Sequence, residues 1–148
     1  GLGDVYKRQA MMNAIASGGM YRTPFFLECT VDETDGTPLE TLAHPQSRRV
    51  MSAENAALLR EMLCQVVEEG TAQDAAGLEG GAGGKTGTAQ TGQFDADGTE
   101  RKNLWFAGFY PAEKPRWTVI MLQDGQTETA YSSAAIFARL CAMLRTLA

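Results

Sequence analysis

The densest chemistry in the chain lies in Gly80-Gly81-Ala82-Gly83-Gly84-Lys85-Thr86-Gly87-Thr88-Ala89-Gln90. A glycine-rich run ending in Lys-Thr suggests a phosphate loop, G-x-x-x-x-G-K-[ST]. The spacing fails: with Gly84 before Lys85, the first glycine should stand at 79, which is Glu79. The residues before it are not an apolar strand, and Thr86 to Gln93 are poor helix material. A flexible linker would explain Gly80 to Gly84 but not a lysine set between glycine and threonine. A third reading is an edge strand able to receive a peptide that carries a carboxylate. Free backbone N–H and C=O groups would receive the peptide. Gly87 would let it approach closely, the Thr86 and Thr88 hydroxyls would bind the acid, and Lys85 would add positive charge. Alternation along a strand puts Lys85 and Thr86 on opposite faces. Both can serve one site only if the strand runs along the rim of a groove.

Other chemistry is excluded or weak. The three cysteines, Cys29, Cys64 and Cys141, are far apart, and the single histidine is His44 beside Pro45. No metal site is expected from that set, because zinc wants four N/S ligands, often in close pairs. The cysteines read as small buried side chains, and His44 reads as a surface residue. Asp95-Ala96-Asp97-Gly98 is a turn, too short for a calcium loop. With 13 Lys+Arg against 18 Asp+Glu the net charge is −5. Without clustered positive charge the chain is not a nucleic-acid binder. No apolar run approaches the roughly 20 residues that cross a bilayer.

The elements that must position residues 85–88 follow from periodicity. The 148 residues suggest one domain. A helix over Ala10 to Ser17 ends at Gly18-Gly19. Phe25 to Val31 reads as a strand, Asp32 to Pro38 as a turn around Asp35-Gly36, and Leu39 to Val50 as irregular. Ser52 caps a helix whose apolar face is Leu58, Leu59, Met62, Leu63, Val66 and Val67, ended by Gly70. A loop over residues 71–82 leads to the glycine-rich strand, and Gln93 to Lys102 is a polar connector. Leu104 to Tyr110 and Trp117 to Leu122 form an antiparallel pair. Ser132 or Ser133 caps a last helix with Ile136, Phe137, Leu140, Cys141, Leu144 and Leu147 on its apolar face. Trp105 and Trp117 read as packing residues, and Met11, Met12, Met62 and Met143 as core. The fold class is α+β, an antiparallel sheet flanked by helices.

Several stretches in order resemble the C-terminal part of the transpeptidase domain of class B penicillin-binding proteins. They are QAMMNAIASGG with Met20-Tyr21-Arg22-Thr23-Pro24, then Val66-Val67-Glu68-Glu69-Gly70-Thr71-Ala72, then GGKTGTAQ, then Trp105-Phe106-Ala107-Gly108-Phe109-Tyr110-Pro111. K-T-G accompanies S-x-x-K and S-x-N in such enzymes. The resemblance implies the β-lactamase/transpeptidase-like fold and a serine D,D-transpeptidase that crosslinks peptidoglycan without a cofactor or metal. Its serine attacks a D-alanyl-D-alanine stem peptide, and β-lactams acylate the same serine. By similarity Lys85 interacts with the S-x-N serine, Thr86 and Thr88 bind the substrate carboxylate beside Gly87, and the Thr88 N–H supplies an oxyanion-hole donor.

The chain departs from the pattern in one way. None of Ser17, Ser47, Ser52, Ser132 and Ser133 is followed by Lys at the third position or Asn at the second. The nucleophile is expected upstream, and this chain alone is expected to be inactive. Residues 1–9, GLGDVYKRQ, read as a translated adapter, leaving 10–148 as the transpeptidase part. The intact protein is expected outside the cytoplasm on a membrane anchor. Its partners would be stem peptides, β-lactams and other cell-wall synthesis, division or elongation proteins. The alternatives are a β-lactamase or β-lactam sensor of the same fold, or a non-catalytic binding or scaffold relative. Lack of the serine in the complete gene would favour the non-catalytic relative.

Overall fold

The computed structural model describes residues 2–42 and 46–147; His44 lies outside the described residues. Three helices, α1 (Leu2–Ala16), α2 (Ala53–Glu68) and α3 (Ser133–Leu144), surround a sheet of β5 (Gly83–Phe94), β6 (Glu100–Tyr110) and β7 (Trp117–Gln126). Two small antiparallel ladders precede the sheet. One pairs β1 (Met20–Arg22) with β4 (Ser47–Arg49), and the other pairs β2 (Cys29–Val31) with β3 (Pro38–Thr41). The sheet is an antiparallel meander in the order β5-β6-β7, so β5 is a border strand. The α+β class expected from the sequence is the one observed.

The main core lies between the sheet and α3. Phe106, Phe109 and Phe137 are fully buried, and the Phe106 and Phe137 ring centroids are 4.5 Å apart at 43°. Removing such a ring from water contributes roughly 1.5–3 kcal/mol. Glycines make room for the rings. A Cβ on Gly83 would lie 2.3 Å from Phe109 Cζ, and one on Gly84 would lie 2.3 Å from Phe106 Cζ. Tyr110, also buried, donates from its hydroxyl to the Glu79 carbonyl at 2.8 Å and ties the loop before β5 to the sheet.

α1 packs against β6 and β7, burying Ala10, Met12, Ala14 and Ile15. A polar clamp fixes it there. Gln9 Nε2 donates to the Thr118 carbonyl at 2.7 Å and also to the Thr118 hydroxyl, which donates to Asn13 Oδ1. The helix stops where expected, because Gly18 and Gly19 have φ of 70° and 91°. It starts earlier than expected: residues 2–9 are helical and continuous with the rest. At α2 the Ser52 hydroxyl accepts from Asn55 N at 3.2 Å, the cap read from the sequence. Ser132 caps α3 in the same way through Ala135 N at 3.1 Å.

Four expectations are corrected. Only Cys29–Val31 of the stretch Phe25 to Val31 is strand; Phe25, Phe26 and Leu27 are exposed coil, Phe26 to 91%. The supposedly irregular stretch Leu39 to Val50 contains β3 and β4, whose short ladders are too polar to show as strand periodicity. The connector Gln93 to Lys102 is half strand, since β5 runs to Phe94 and β6 starts at Glu100, leaving the Asp95–Thr99 turn. Of the four methionines read as core, only Met12 is buried; Met11, Met62 and Met143 are exposed. Leu58 and Leu59 are exposed with Met62, so part of the apolar face of α2 is open to solvent, while Val67 is buried.

The β2–β3 hairpin stands apart. Its strands pack chiefly on each other, and Val31 and Leu39 are exposed. Asp32 and Asp35 build its turn. Asp32 Oδ1 accepts from Thr34 N at 2.7 Å and Asp35 Oδ1 from Thr37 N at 2.9 Å. These backbone donors pull both carboxyls below the usual carboxylate range.

Candidate functional site

β5 is a strand because it is built into a ladder on one side only. Gly83 to Gln90 pair residue by residue with Phe109 to Lys102 on β6, and among the described residues no strand pairs with the other border. Its first two residues are buried, and from Lys85 onward the strand emerges at the surface. Thr86 is half-buried, while Lys85, Gly87 and Thr88 are exposed.

Lys85 and Thr86 leave opposite faces of the strand, yet their polar atoms meet. The Lys85 ammonium reaches round the border and donates to the Thr86 carbonyl at 2.9 Å and to the Thr86 hydroxyl at 3.3 Å. A third hydroxyl joins from outside the strand. Thr71 Oγ1 lies 2.9 Å from Thr86 Oγ1 and accepts from Lys85 Nζ at 3.4 Å. Thr71 follows α2 in the stretch Val66-Val67-Glu68-Glu69-Gly70-Thr71-Ala72. The sequence marked this stretch by family resemblance but assigned Thr71 no role. The fold explains its spacing. Gly70 N donates to Val66 O at 3.1 Å, and a Cβ on Gly70 would lie 2.8 Å from that oxygen. Ala72 is buried, and its N–H also reaches Val66 O, at 3.2 Å. The turn is thus pinned on both sides of Thr71.

Gly87 differs from Gly83 and Gly84. A Cβ there would meet only Trp105 Cβ, at 3.6 Å, an ordinary contact. Internal packing therefore does not require a glycine at 87. Trp105 carries the Arg8 guanidinium 4.3 Å from its ring centroid, a contact the sequence did not reveal. Beside it a groove of about 280 Å³ opens between α1, α2 and β5, lined by Met11, Met12, Leu63, Val66, Lys85 and Trp105 among others. One wall is apolar, and the other is Lys85, Thr86 and Gly87. A larger cavity of about 700 Å³, between α1 and residues 22–26, is lined by none of residues 85–88.

The remaining candidates are not brought to this site. Ser17 donates to the Asn13 and Met20 carbonyls, Ser47 lies on β4, Ser52 and Ser132 cap helices, and Ser133 is buried. The three cysteines are free thiols on separate elements. Burial pushes the Cys141 thiol up to about 12, and burial also raises Cys64. A nucleophilic cysteine needs the opposite shift.

A family model for the penicillin binding protein transpeptidase domain matches residues 8–142. The chain belongs to that family. It is 38% identical over 102 residues to penicillin-binding protein 1F of Bacillus subtilis (strain 168), covering 67% of this chain and 13% of that protein. It is 32% identical over 139 residues to penicillin-binding protein PbpB of Mycolicibacterium smegmatis, covering 84% of this chain and 20% of that one. The chain therefore spans a fifth or less of these two relatives. Among solved structures it is similar to penicillin binding protein 3 from Mycobacterium tuberculosis. The complex with aztreonam gives a TM-score of 0.76 at 29% identity, over 93% of this chain and 34% of that one. The complex with ampicillin gives 0.74 at 30%, over 93% and 33%. The class B transpeptidase-domain assignment and the β-lactamase/transpeptidase type of fold stand with these relatives.

Proposed function

We propose that residues 85–88 are the carboxylate clamp and half the oxyanion hole of a serine D,D-transpeptidase acting on peptidoglycan stem peptides. The observation that carries this reading is the Lys85 ammonium bonded to Thr86 on a border strand that pairs with no second strand among the described residues. It answers the difficulty posed by alternation, since both side chains serve the same rim.

Thr86 and Thr88 offer hydroxyl donors to the terminal carboxylate, and Lys85 offsets its charge. Within an antiparallel strand the N–H and C=O of one residue point the same way, and the pattern repeats every second residue. A Thr86 carbonyl that receives the lysine from outside therefore puts the Thr88 N–H on the outer border too. There it would meet the oxygen that becomes negative during acyl transfer. One such donor is typically worth about 3 kcal/mol of transition-state stabilisation. Gly87, with no packing reason to lack a side chain, leaves room for the substrate backbone.

In the intact enzyme a serine, activated by the lysine of S-x-x-K, attacks the D-alanyl-D-alanine carbonyl. The bond to the terminal D-alanine breaks and that residue leaves as an amine. A stem-peptide amine from a second strand then displaces the serine. β-Lactams, which the related penicillin binding protein 3 structures contain, enter by the same clamp. We read the intact protein as extracytoplasmic and anchored to the cytoplasmic membrane, working with other cell-wall synthesis proteins. No described helix is long and apolar enough to cross a membrane.

The test is an amide-shift titration of the 148-residue chain with N-acetyl-D-alanyl-D-alanine and with its C-terminal amide. The acid should move Thr86, Gly87 and Thr88 in a saturable way and the amide should bind far more weakly. Equal response to both, or none at these residues, would remove the reading.

A further inference from the structure

We propose that Thr71 is a positioning residue that sets the direction of the hydrogen bonds at this site, leaving the Thr86 hydroxyl proton for the ligand. The inference rests on the clamp reading above and concerns a residue outside the strand.

A threonine hydroxyl owns one proton and can accept through its lone pairs, whereas a lysine ammonium only donates. Lys85 Nζ is near both hydroxyl oxygens, at 3.4 Å for Thr71 and 3.3 Å for Thr86, so both accept from it. The 2.9 Å contact between the two hydroxyls holds one further proton, supplied by one or the other. If Thr86 supplies it, Thr86 has nothing left to give a carboxylate. A carboxylate is an acceptor only, so its arrival at Thr86 requires the opposite order. Thr71 then donates to Thr86, and Thr86 donates outward. The bonds run in one sense from the Lys85 ammonium through Thr71 and Thr86 to the acid, and bonds aligned in this way polarise one another.

The backbone around Thr71 suits such a role. Gly70 and Ala72 both bond back to Val66 O, and Ala72 is wholly buried, so the Thr71 hydroxyl is placed before any ligand arrives. A valine at 71 would keep the β-branched shape and lose the relay. A serine would keep the relay.

The same acid-against-amide titration, run on variants, decides the matter. Thr71→Val should weaken binding of N-acetyl-D-alanyl-D-alanine about tenfold, the scale of one charge-assisted hydrogen bond. Thr71→Ser should stay within about twofold of the parent chain. In a Thr86→Val background, Thr71→Val should cost nothing further, because Thr71 acts through the Thr86 hydroxyl. A role of Thr71 through its methyl and backbone packing, independent of the hydroxyl pair, would give additive losses and no rescue by serine. Unchanged Trp105 and Trp117 indole signals would establish that each variant is folded. Parent-like binding by Thr71→Val, or an undiminished loss in the Thr86→Val background, would overturn the inference and leave the clamp standing. A parent chain that does not distinguish acid from amide would remove the clamp and this inference together.

Discussion

Gly84 lies against the edge of the Phe106 ring so closely that a methyl on its α-carbon would sit 2.3 Å from Cζ. The Phe106 ring is itself packed against Phe137, tilted at 43° with centroids 4.5 Å apart, and the same methyl would also sit 2.9 Å from the Ala107 carbonyl oxygen. Gly84→Ala should therefore destabilise the fold by about 1–3 kcal/mol, the usual cost of overpacking. Gly87→Ala, three residues along, should unfold at nearly the parent denaturant concentration, since its Cβ finds ordinary contact distance. If Gly87 faces the substrate as proposed, the same variant should lose affinity for N-acetyl-D-alanyl-D-alanine. Urea melts of the two variants check the first contrast, and the ligand titration checks the second.

Covalent catalysis needs a nucleophile within hydrogen-bond reach of its base. The five serines of this chain cap helices, lie on β4, bond to local carbonyls or are buried. Incubating the chain with a fluorescent penicillin should leave its intact mass unchanged. A mass increase equal to the ring-opened drug would contradict this.

The Cys141 thiol, held up at about 12 by burial, should resist iodoacetamide in the folded chain at pH 8. The linkage follows from the direction of the shift. An unfolded thiol loses its proton near its ordinary value of 9, whereas the folded one keeps it to about 12. The folded state thus binds more protons across that window, so stability should fall as pH rises through it. The contribution is fully present below pH 9. Cys141→Ala should flatten this alkaline slope in melts recorded at successive pH values.

Two side chains of α1 hold it to the sheet near its middle: Arg8 lies over Trp105, and Gln9 bonds to Thr118. Deleting residues 1–7 should lower the melting temperature only slightly, whereas Gln9→Ala in the full chain should cost more. Differential scanning calorimetry on the two variants would show which order holds.

What could be read from the sequence was the part governed by local rules. Ser52 and Ser132 announce helix starts because a hydroxyl before an apolar period has a donor to accept from. Gly18 and Gly19 announce a stop because their φ is positive. The β6–β7 pair was legible because Leu104 to Tyr110 and Trp117 to Leu122 are rich in aromatic and β-branched residues. β3 and β4 were not, since four- and three-residue strands of mostly polar side chains have no period to display. Helical spacing reveals an apolar face but not what covers it: Met12 is buried, whereas Met62 has the same kind of spacing and remains 49% exposed. At the candidate site, Lys85 to Thr88 were legible as a motif. Thr71 was not, because its approach to Thr86 depends on how α2 ends relative to β5, a tertiary fact with no local signature.

The β2–β3 hairpin also governs how the molecule sits in an electric field. Residues 25–42 hold Glu28, Asp32, Glu33, Asp35 and Glu40 with no Lys or Arg, and the remaining acids and bases of the chain balance at thirteen each. The whole formal surplus of −5 is thus gathered on one protruding arm. A body so arranged has a permanent dipole. Close to a negatively charged sheet of lipid or polymer, within roughly a Debye length of 8–10 Å, it would rotate to point the arm outward and turn its electrically balanced end toward that sheet.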